Sequence, residues 1–418
     1  MMEDCARRYG DMFTVKIANE GTWVFVTDPD AVKQIFTGDP RLLHAGEANV
    51  VLLPVLGSHS VLLLDENAHM AQRKLMLPPF HGERMRGYEQ TMAEVATREI
   101  ERWPAGEPHS AWPTMQAITL EVIMRTVFGV TDAERLRHLG EALQSSLSWT
   151  VNPRRMARLA LVGPQRIAER GTMQRALQPT DDLIFEEIRS RRDAADLEQR
   201  DDVLSLLLQA RHDDGSPMSD QELRDELMTL LVAGHETSAT ALAWALEALA
   251  RHPAALARLR DEVDSGDDTY LDAVIQETLR LRPVLALVLR RLTEPMEIGG
   301  RLLPAGVTVA PCIYLMHRRP DIYADPRAFR PERFLERPPG TYTWIPFGGG
   351  VRRCLGASFA QFEIKVVLRE LVARLDIRPA RSRPERRVRR AIVFAPERGG
   401  ELVVERRAEA RVPGAIAA

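Results

Sequence analysis

The chain has 418 residues, of which 45% are hydrophobic and 28% are charged, so it can bury a large core in one big domain or two modest ones. A formal net charge of −3 gives no overall attraction to phosphate backbones, which argues against nucleic acid as a partner. Three widely spaced cysteines predict neither a disulfide framework nor a paired zinc site, and they favour a reducing cytoplasm.

The first predicted elements are extended. The segments "MFTVKI" (12–17) and "TWVFV" (22–26) are rich in β-branched and aromatic residues and flank a glycine-bearing turn, which predicts a β-hairpin. From about residue 65 to 282 the apolar residues follow a helical period, which predicts an α-rich body. The chain has no run of eighteen or more apolar residues and a polar start, so we expect neither a signal peptide nor a membrane anchor.

The longest predicted helix begins at a capping box made by Ser219 and Glu222 and stops before Pro253. Its centre reads "AGHET" (233–237), which is small and polar where a core helix would be apolar. Such residues can open a groove in which a carbonyl and a threonine hydroxyl bind water. Close packing against a neighbouring helix through the small residues is the alternative.

A buried charge lock is predicted from two further segments. Glu277 and Arg280 in "ETLR" are three residues apart and share one helical face, although surface pairs of this kind are common and weak. Arg333 in "FRPERF" supplies a second planar guanidinium group. A carboxylate bonded by two such groups would be a strong structural contact.

After Pro283 the pattern returns to strands. Gly299-Gly300 predicts a two-residue hairpin turn, "AIVFAPERGGELVVE" (391–405) predicts another hairpin, and the basic run 381–390 predicts a solvated loop. The expected class is mainly α with a small β-rich lobe (α+β). Strands from both ends should share that lobe, which predicts one domain over 1–418. The β-rich parts are expected at about 1–60, 284–345 and 378–418, and the α-rich parts at about 65–282 and 355–376.

The stretch around the last cysteine is the most specific. Phe347, Gly350, Arg352, Cys354 and Gly356 fit the pattern F-x-x-G-x-R-x-C-x-G, and in this stretch the chain resembles the cytochrome P-450 haem-thiolate family. From average residue usage, a chance match in a chain this long is on the order of one in ten thousand. The segments "HMAQR" (69–73), "AGHET", "ETLR" and "FRPERF" resemble further family motifs and stand in the family's order. Members usually carry a Pro-rich lead before the region that in this chain begins almost at Met1.

The resemblance implies a long central helix crossing over haem b, with Cys354 as the iron ligand. Phe347 would shield the sulfur, and the glycines, including Gly350 and Gly356, would let the loop backbone approach the sulfur and direct N–H groups at it. Cations would bind the haem propionates. The expected propionate ligands are His69, Arg73, Arg352 and Arg290, the last preferred over Arg291 by strand parity.

Above the ring, Ala233 and Gly234 would leave room for O2 and substrate. Thr237 would hold water and Glu236 would relay protons from solvent. His235 is expected to be a structural or solvent-facing residue and not a metal ligand. Cys5 and Cys312 are expected to be structural.

The implied activity is a monooxygenase that hydroxylates or epoxidises a lipophilic small molecule. The alternatives are a haem-thiolate isomerase or peroxygenase, which needs no electron donor, and a non-catalytic haem-binding protein. Substrate contacts are expected in apolar segments at 49–63, 150–175, 284–290 and 391–397. The chain shows no flavin or iron–sulfur motif, so a ferredoxin or flavodoxin with its reductase should deliver electrons to a monomeric protein. Candidate docking cations are Arg352, Arg353, Lys365, His81 and Arg84, with ordinary solvated charge as the alternative.

Overall fold

The structure is a computed structural model that describes residues 1–80, 84–150, 172–390 and 392–407. The predicted docking residue His81 and most of the predicted substrate segment 150–175 lie outside the described residues. The class predicted from the sequence, mainly α with a small β-rich portion, is confirmed.

In chain order, the helices are α1 (Met2–Tyr9), α2 (Pro29–Thr37), α3 (Ala45–Ala48), α4 (Leu53–Leu56), α5 (Glu66–Met76), α6 (Arg84–Gly87), α7 (Glu89–Glu101), α8 (Trp112–Val127), α9 (Ala133–Thr150), α10 (Thr172–Arg192), α11 (Val203–Gln209), α12 (Asp220–Arg251), α13 (Pro253–Ser265), α14 (Thr269–Leu281), α15 (Ile313–Met316), α16 (Glu332–Glu336) and α17 (Ala357–Arg374).

The strands of the described ranges are short and form four small sheets. They are β1 (Met12–Ile17), β2 (Gly21–Val26), β3 (Leu43–His44), β4 (His109–Ser110), β5 (Arg290–Leu292), β6 (Met296–Ile298), β7 (Arg301–Leu303), β8 (Thr308–Pro311), β9 (Leu375–Pro379), β10 (Arg387–Arg390), β11 (Val393–Pro396) and β12 (Glu401–Arg406). The largest sheet has the order β1-β2-β8-β5-β3.

Two predicted hairpins are confirmed. Strands β1 and β2 pair antiparallel, and the stacked rings of Phe13 and Phe25 lie 5.0 Å apart across the pair. Strands β6 and β7 are joined by Gly299 and Gly300, whose φ angles of 56° and 72° are the left-handed values that a tight turn of this kind requires.

The predicted C-terminal hairpin over 391–405 is wrong. Strand β11 pairs with β10, whereas β12 pairs with β9 and β4 in a different sheet. Gly399 and Gly400 between them do not make a two-residue turn. A side-chain carbon at Gly400 would lie 2.8 Å from the carbonyl oxygen of Ala243 in α12, so the glycines let the chain pass closely over that helix.

The basic run at 381–390 is not only a solvated loop, because its second half forms β10. The guanidinium carbon of Arg387 lies 4.1 Å from the ring centre of Tyr314, and that of Arg390 lies 4.1 Å from the ring of Trp112. Aromatic faces therefore hold two of these cations in place, which charge patterning along the sequence does not reveal.

Helix α12 runs through the largest hydrophobic core and packs against α8, α10, α14 and α17. Its predicted capping box is confirmed: the Ser219 hydroxyl accepts from the Glu222 backbone, and the Glu222 carboxylate accepts from the Ser219 backbone at 2.7 Å. The helix ends before Pro253, as predicted. Among the described residues, no helix is both long and apolar enough to span a bilayer.

Candidate active site

The loop that carries Cys354 leads directly into α17. The backbone N–H of Cys354 donates to the carbonyl of Phe347 at 2.9 Å, which closes the loop into a compact bend. The ring of Phe347 is partly buried, and its centre lies 6.1 Å from that of Trp344 at an interplanar angle of 68°. The loop is therefore anchored on the core by aromatic contacts, while the cysteine lies at its end.

Of the three cysteines in the chain, Cys354 alone is exposed. Protein atoms nevertheless surround the thiol closely, and this burial raises its pKa. The backbone N–H of Gly356 and the guanidinium groups of Arg73 and Arg353 act in the opposite direction. The net result is a pKa above the ordinary value for a thiol, with one N–H donor and two cations placed so that they oppose the rise.

Two glycines of the loop have a different neighbour from the sulfur that the sequence analysis predicts. Gly350 has a φ of 66°, and a side-chain carbon there would lie 1.8 Å from the carbonyl oxygen of Phe36 in α2. At Gly349 the same carbon would lie 2.2 Å from the Phe36 ring. These two glycines let the loop pack against α2, whereas Gly356 has open space beside it and supplies its N–H to the sulfur.

The structure brings together four predicted propionate ligands, which form the cation cluster: His69, Arg73, Arg290 and Arg352. His69 and Arg73 lie four residues apart on α5, Arg290 begins β5, and Arg352 belongs to the Cys354 loop. Burial first, then Arg352 and Arg73, lower the pKa of His69 to about 3, so its imidazole is neutral. Burial, then Arg352, lowers the pKa of Arg290 to about 10.

The cation cluster has fewer anions than it needs. Among the described residues, Asp65 is the one carboxylate that forms an ion pair with it, through Arg352. Three guanidinium groups against one carboxylate leave two uncompensated positive charges in a largely buried place, which is costly without further anions. Haem carries two propionates, so the residues present fit that group.

The two arginines at the start of β5 have different surroundings. The side chain of Arg290 is buried in the cation cluster and donates to the carbonyl of Leu289 at 2.7 Å. The side chain of Arg291 is 41% exposed and lies 3.7 Å from the Glu47 carboxylate. Only Arg290 therefore points toward the predicted propionate side.

Glu277, Arg280 and Arg333 meet in a buried charge lock. Arg280 donates to both carboxylate oxygens of Glu277, at 2.6 and 2.8 Å, and Arg333 donates to one of them at 3.1 Å. The two residues on α14 are completely buried. The remaining donors of Arg280 bind the carbonyls of His317, Pro326 and Ala328, which ties α14 to the chain ahead of α16.

The polar centre of α12 carries a threonine whose hydroxyl bonds back to the helix. The Thr237 hydroxyl donates to the carbonyl of Ala233 at 2.5 Å, and the side chain of Ala233 is exposed although it lies mid-helix. Glu236 is half-buried; burial raises its pKa, and the nearby Arg390 of β10 acts against that change. An exposed surface with a hydroxyl and a protonatable acid therefore interrupts an otherwise buried helix.

Gly234 and His235 face α8. A side-chain carbon at Gly234 would lie 2.7 Å from Cδ1 of Ile123, so the small residue here lets α12 pack closely against α8 without moving the Ile123 side chain. The Thr119 hydroxyl donates to the His235 carbonyl at 2.9 Å and lies 3.2 Å from His235 Nδ1. Burial lowers the pKa of His235 to about 4. His235 is thus a buried, neutral residue that fixes α12 against α8 and does not face solvent.

Two acidic residues at the site escape the sequence analysis. Asp65 lies four residues before His69 and binds Arg352. Glu363 on α17 is fully buried, and burial raises its pKa to about 8, with the Ser238 hydroxyl acting weakly against that change. Neither carboxylate oxygen of Glu363 reaches full hydrogen-bond geometry with a described donor. Glu363 shares its helix with Lys365, Arg369 and Glu370, and Asp65 occupies an ordinary position before a helix, so the sequence singles out neither residue.

The predicted docking cations do not assemble into one patch in the described residues. Arg352 turns inward, with its side chain 10% exposed. Lys365 forms an ion pair with Asp272 at 2.7 Å, which compensates its charge. Arg353 is exposed, and the side chain of Arg84 is outside the described part. Arg353 is therefore the one member for which the structure shows a free surface position.

Comparisons with known proteins all match members of one family. A sequence model of the cytochrome P450 family matches residues 1–403. The chain is 44% identical over 408 residues to cytochrome P450 135B1 of Mycobacterium bovis and Mycobacterium tuberculosis, covering 96% of this chain and 86% of that protein. It is 39% identical over 395 residues to cytochrome P450 137 of Mycobacterium tuberculosis, covering 94% and 83%.

Solved structures show the same fold. Cyanobacterial CYP120A1 with bound retinoic acid matches with a TM-score of 0.85 at 24% identity, over 97% of this chain and 93% of that one. The haem domain of cytochrome P450DA matches with a TM-score of 0.81 at 25% identity, over 97% and 92%.

Proposed function

The chain belongs to the cytochrome P450 family, and from that premise we propose that it inserts one oxygen atom from O2 into a lipophilic small molecule by hydroxylation or epoxidation. Haem-thiolate monooxygenase chemistry follows from membership of the family. The substrate class, the electron source and the role of each residue are part of the proposal, together with a single haem domain for the chain.

The observation that carries the proposal is the placement of two functions on one loop. Cys354 ends the loop as an exposed thiol, and Arg352, two residues earlier, joins the cation cluster. We assign Cys354 as the iron ligand of haem b, with Phe347 shielding the sulfur and the cation cluster binding the propionates. When bound, a haem with a thiolate ligand would activate O2, because the sulfur donates electron density to the iron.

The chain's own groups can deliver protons. The Thr237 hydroxyl holds a proton at Oγ1 and is oriented by the Ala233 carbonyl. Glu236 lies next to it, and its pKa is raised toward neutral pH. An acid whose pKa lies near the working pH can both take and release a proton. We propose that Glu236 passes protons from solvent to a water held by Thr237. This intact pair favours O2 activation over the isomerase and peroxygenase alternatives.

The substrate is proposed to be apolar. Leu62, Leu63 and Val284 are partly buried at the margin of the large core, and Val288 lies 3.6 Å from the position of a side-chain carbon at Gly348 in the Cys354 loop. These residues belong to the predicted contact segments and carry no charge, so a fatty acid, a terpenoid or a polyketide-like compound fits them. A spectral titration with these three classes should give a high-spin shift for the class that displaces iron-bound water.

Family members generally take electrons from redox partners, and for this chain we propose an acidic ferredoxin or flavodoxin with its reductase. Arg353 is exposed close to the thiol and is the proposed docking cation. The monomeric state and the cytoplasmic location remain predictions, the latter supported by three free cysteines.

The test uses the purified holoprotein. The reduced protein with carbon monoxide should show the thiolate-specific red-shifted Soret band, and Cys354→Ser should abolish it, whereas Cys312→Ser should keep it. Turnover should require NAD(P)H, ferredoxin and reductase. Turnover with peroxide alone would assign the peroxygenase alternative, and retention of the band in Cys354→Ser would remove the ligand assignment.

The role of Thr237 is tested by Thr237→Ala with Thr237→Ser as the matched control. The alanine variant should bind substrate normally but divert electrons to hydrogen peroxide, with roughly tenfold less product per O2 consumed, as is usual for loss of a proton-transfer group. The serine variant should retain coupling. Unchanged coupling in the alanine variant would show that protons arrive by another route.

A further inference from the structure

We propose that Asp65 is a positioning residue for the haem carboxylates, which orients the guanidinium group of Arg352 and limits the cation cluster to the charge that two propionates neutralise. The inference rests on the proposed function, because it concerns how the propionate side of that site is built. Asp65 acts through Arg352 and is not itself proposed to touch the haem.

Asp65 occupies the N-cap position of α5 but does not cap it. Its side chain makes no cap hydrogen bond. Instead, Oδ1 accepts from the backbone N–H of Gly46 at 2.8 Å, Oδ2 accepts from that of Glu47 at 2.9 Å, and Arg352 donates to Oδ1. An aspartate at this position normally binds the first turn of its own helix, so the local contact has been given up for contacts with two distant segments.

The surrounding backbone is shaped to permit this arrangement. Glu66, the residue after Asp65, has a φ of 50°, which is unusual for a residue with a side chain. At Gly46 a side-chain carbon would lie 2.2 Å from the carbonyl oxygen of Leu63 and 2.6 Å from Oδ2 of Asp65. A strained residue and an obligatory glycine therefore both serve the orientation of one carboxylate.

Asp65 and its neighbours fix Arg352 on one side. The guanidinium group donates to the Asp65 carboxylate, to the carbonyl of Leu64 and, at 3.2 Å, to the carbonyl of Val61. All three acceptors come from the segment just before α5. Because the five donors of an arginine form a rigid planar fork, holding one edge in place directs the remaining donors.

Asp65 also sets the charge of the cation cluster. His44 lies 3.8 Å from Oδ2 and is itself bonded to Glu47 and Glu66, so Arg352 is the cation that Asp65 compensates most closely. With Asp65 ionised, two positive charges are left for two propionates. With asparagine at this position, three would be left, although the amide oxygen could still accept a backbone N–H.

The test compares Asp65→Asn and Asp65→Glu with the wild type as holoproteins. Haem transfer to excess apomyoglobin measures the rate of haem loss, and a redox titration measures the midpoint potential. Asp65→Asn should lose haem roughly tenfold faster, which is the lower end of the range expected when a residue that orients a direct ligand is lost. Its midpoint potential should shift to more positive values, because an anion near the iron has been removed. Asp65→Glu should keep the potential and show an intermediate rate.

A matched control and a modified cofactor separate positioning from a purely structural role. Asp39→Asn breaks an exposed pair with Arg41 and should change neither quantity. Each protein is also reconstituted with haem dimethyl ester, whose carboxylates are blocked. Positioning through Arg352 predicts that Asp65→Asn and the wild type lose the ester at the same rate.

Three results for Asp65→Asn would overturn the inference. Equally faster loss of haem and of the ester would indicate a structural role only, and an unchanged rate of haem loss together with an unchanged midpoint potential would indicate no role. Slower haem loss would make Asp65 a competitor of the propionates. If the wild-type protein bound no haem, the proposed function itself would be wrong, and not only the role assigned to Asp65. Should Asp65→Asn not fold, the rate and potential of Asp65→Glu still decide between these outcomes.

Discussion

The charge lock and the cation cluster are both built from buried or half-buried arginines, and they differ in how many of their donors find an acceptor. In the lock, Glu277 accepts from Arg280, from Arg333 and from the backbone N–H of Arg330, and carbonyls take most of the other donors. In the cluster, Arg290 reaches only a carbonyl beside it, and Arg73 has no hydrogen bond or ion pair with a described residue. A network in which most donors are bound holds elements together, whereas one in which cations lack acceptors is suited to an anionic ligand.

The largest expected effect comes from breaking the lock. Glu277→Gln leaves two buried guanidinium groups without a counter-charge and should lower the free energy of unfolding by about 3 kcal/mol or more. Urea unfolding of the holoprotein measures this change. Asp39→Asn, at an exposed pair, is the control and should leave the unfolding midpoint unchanged. A similar small change in both variants would mean that the lock does not stabilise the fold.

The opposite result is expected in the cation cluster. Arg290→Gln removes an uncompensated buried charge, so the haem-free protein should melt at a higher temperature, while haem loss should become roughly tenfold faster. Arg291→Gln, one residue along β5 and outward-facing, should change neither quantity. If Arg290→Gln destabilised the haem-free form, the distinction between the lock and the cluster would not hold.

The smallest expected effect concerns a buried carboxylate with no cation. Glu226 accepts from the backbone N–H of Val61 at 2.7 Å, and burial raises its pKa from 4.5 to about 8. The folded protein therefore binds this proton more tightly than the unfolded chain does. The stability linked to Glu226 is fully present below pH 4.5 and is lost as pH rises toward 8.

Glu226→Gln should remove that part of the pH dependence, so the free energy of unfolding should fall less between pH 5 and pH 9 in the variant than in the wild type. Urea unfolding at several pH values tests this, with the exposed Glu141→Gln as control. Parallel curves for wild type and Glu226→Gln would show that Glu226 is ionised in the folded state at neutral pH.

Features set by neighbours in the sequence were predicted well. The capping box at Ser219 and Glu222 and the Gly299-Gly300 turn are local, so their residues alone specify them. The cysteine loop is recognised from its fixed spacing. In contrast, the pairing of β12 with β9 and the contact of Gly350 with Phe36 join segments far apart in the chain. No local pattern distinguishes the first from a hairpin, or the second from a glycine that lets the loop approach the sulfur.

The candidate site divides in the same way. The family resemblance, carried by motifs at fixed spacing, was enough to propose Cys354, Thr237 and Arg290 as site residues. These motifs could not select Asp65, because an aspartate before a helix is normally read as its cap. Its contacts with Arg352, Gly46 and Glu47 exist only after three separate segments have packed together.

The amino-acid sequence by itself determined the family and the position of the long helix, and it supplied the proposed reactive groups, since motif spacing and local periodicity carry that information. Only the tertiary structure decided which buried charges are compensated and which are left for a ligand. Compensation depends on distances between segments that the chain brings together on folding.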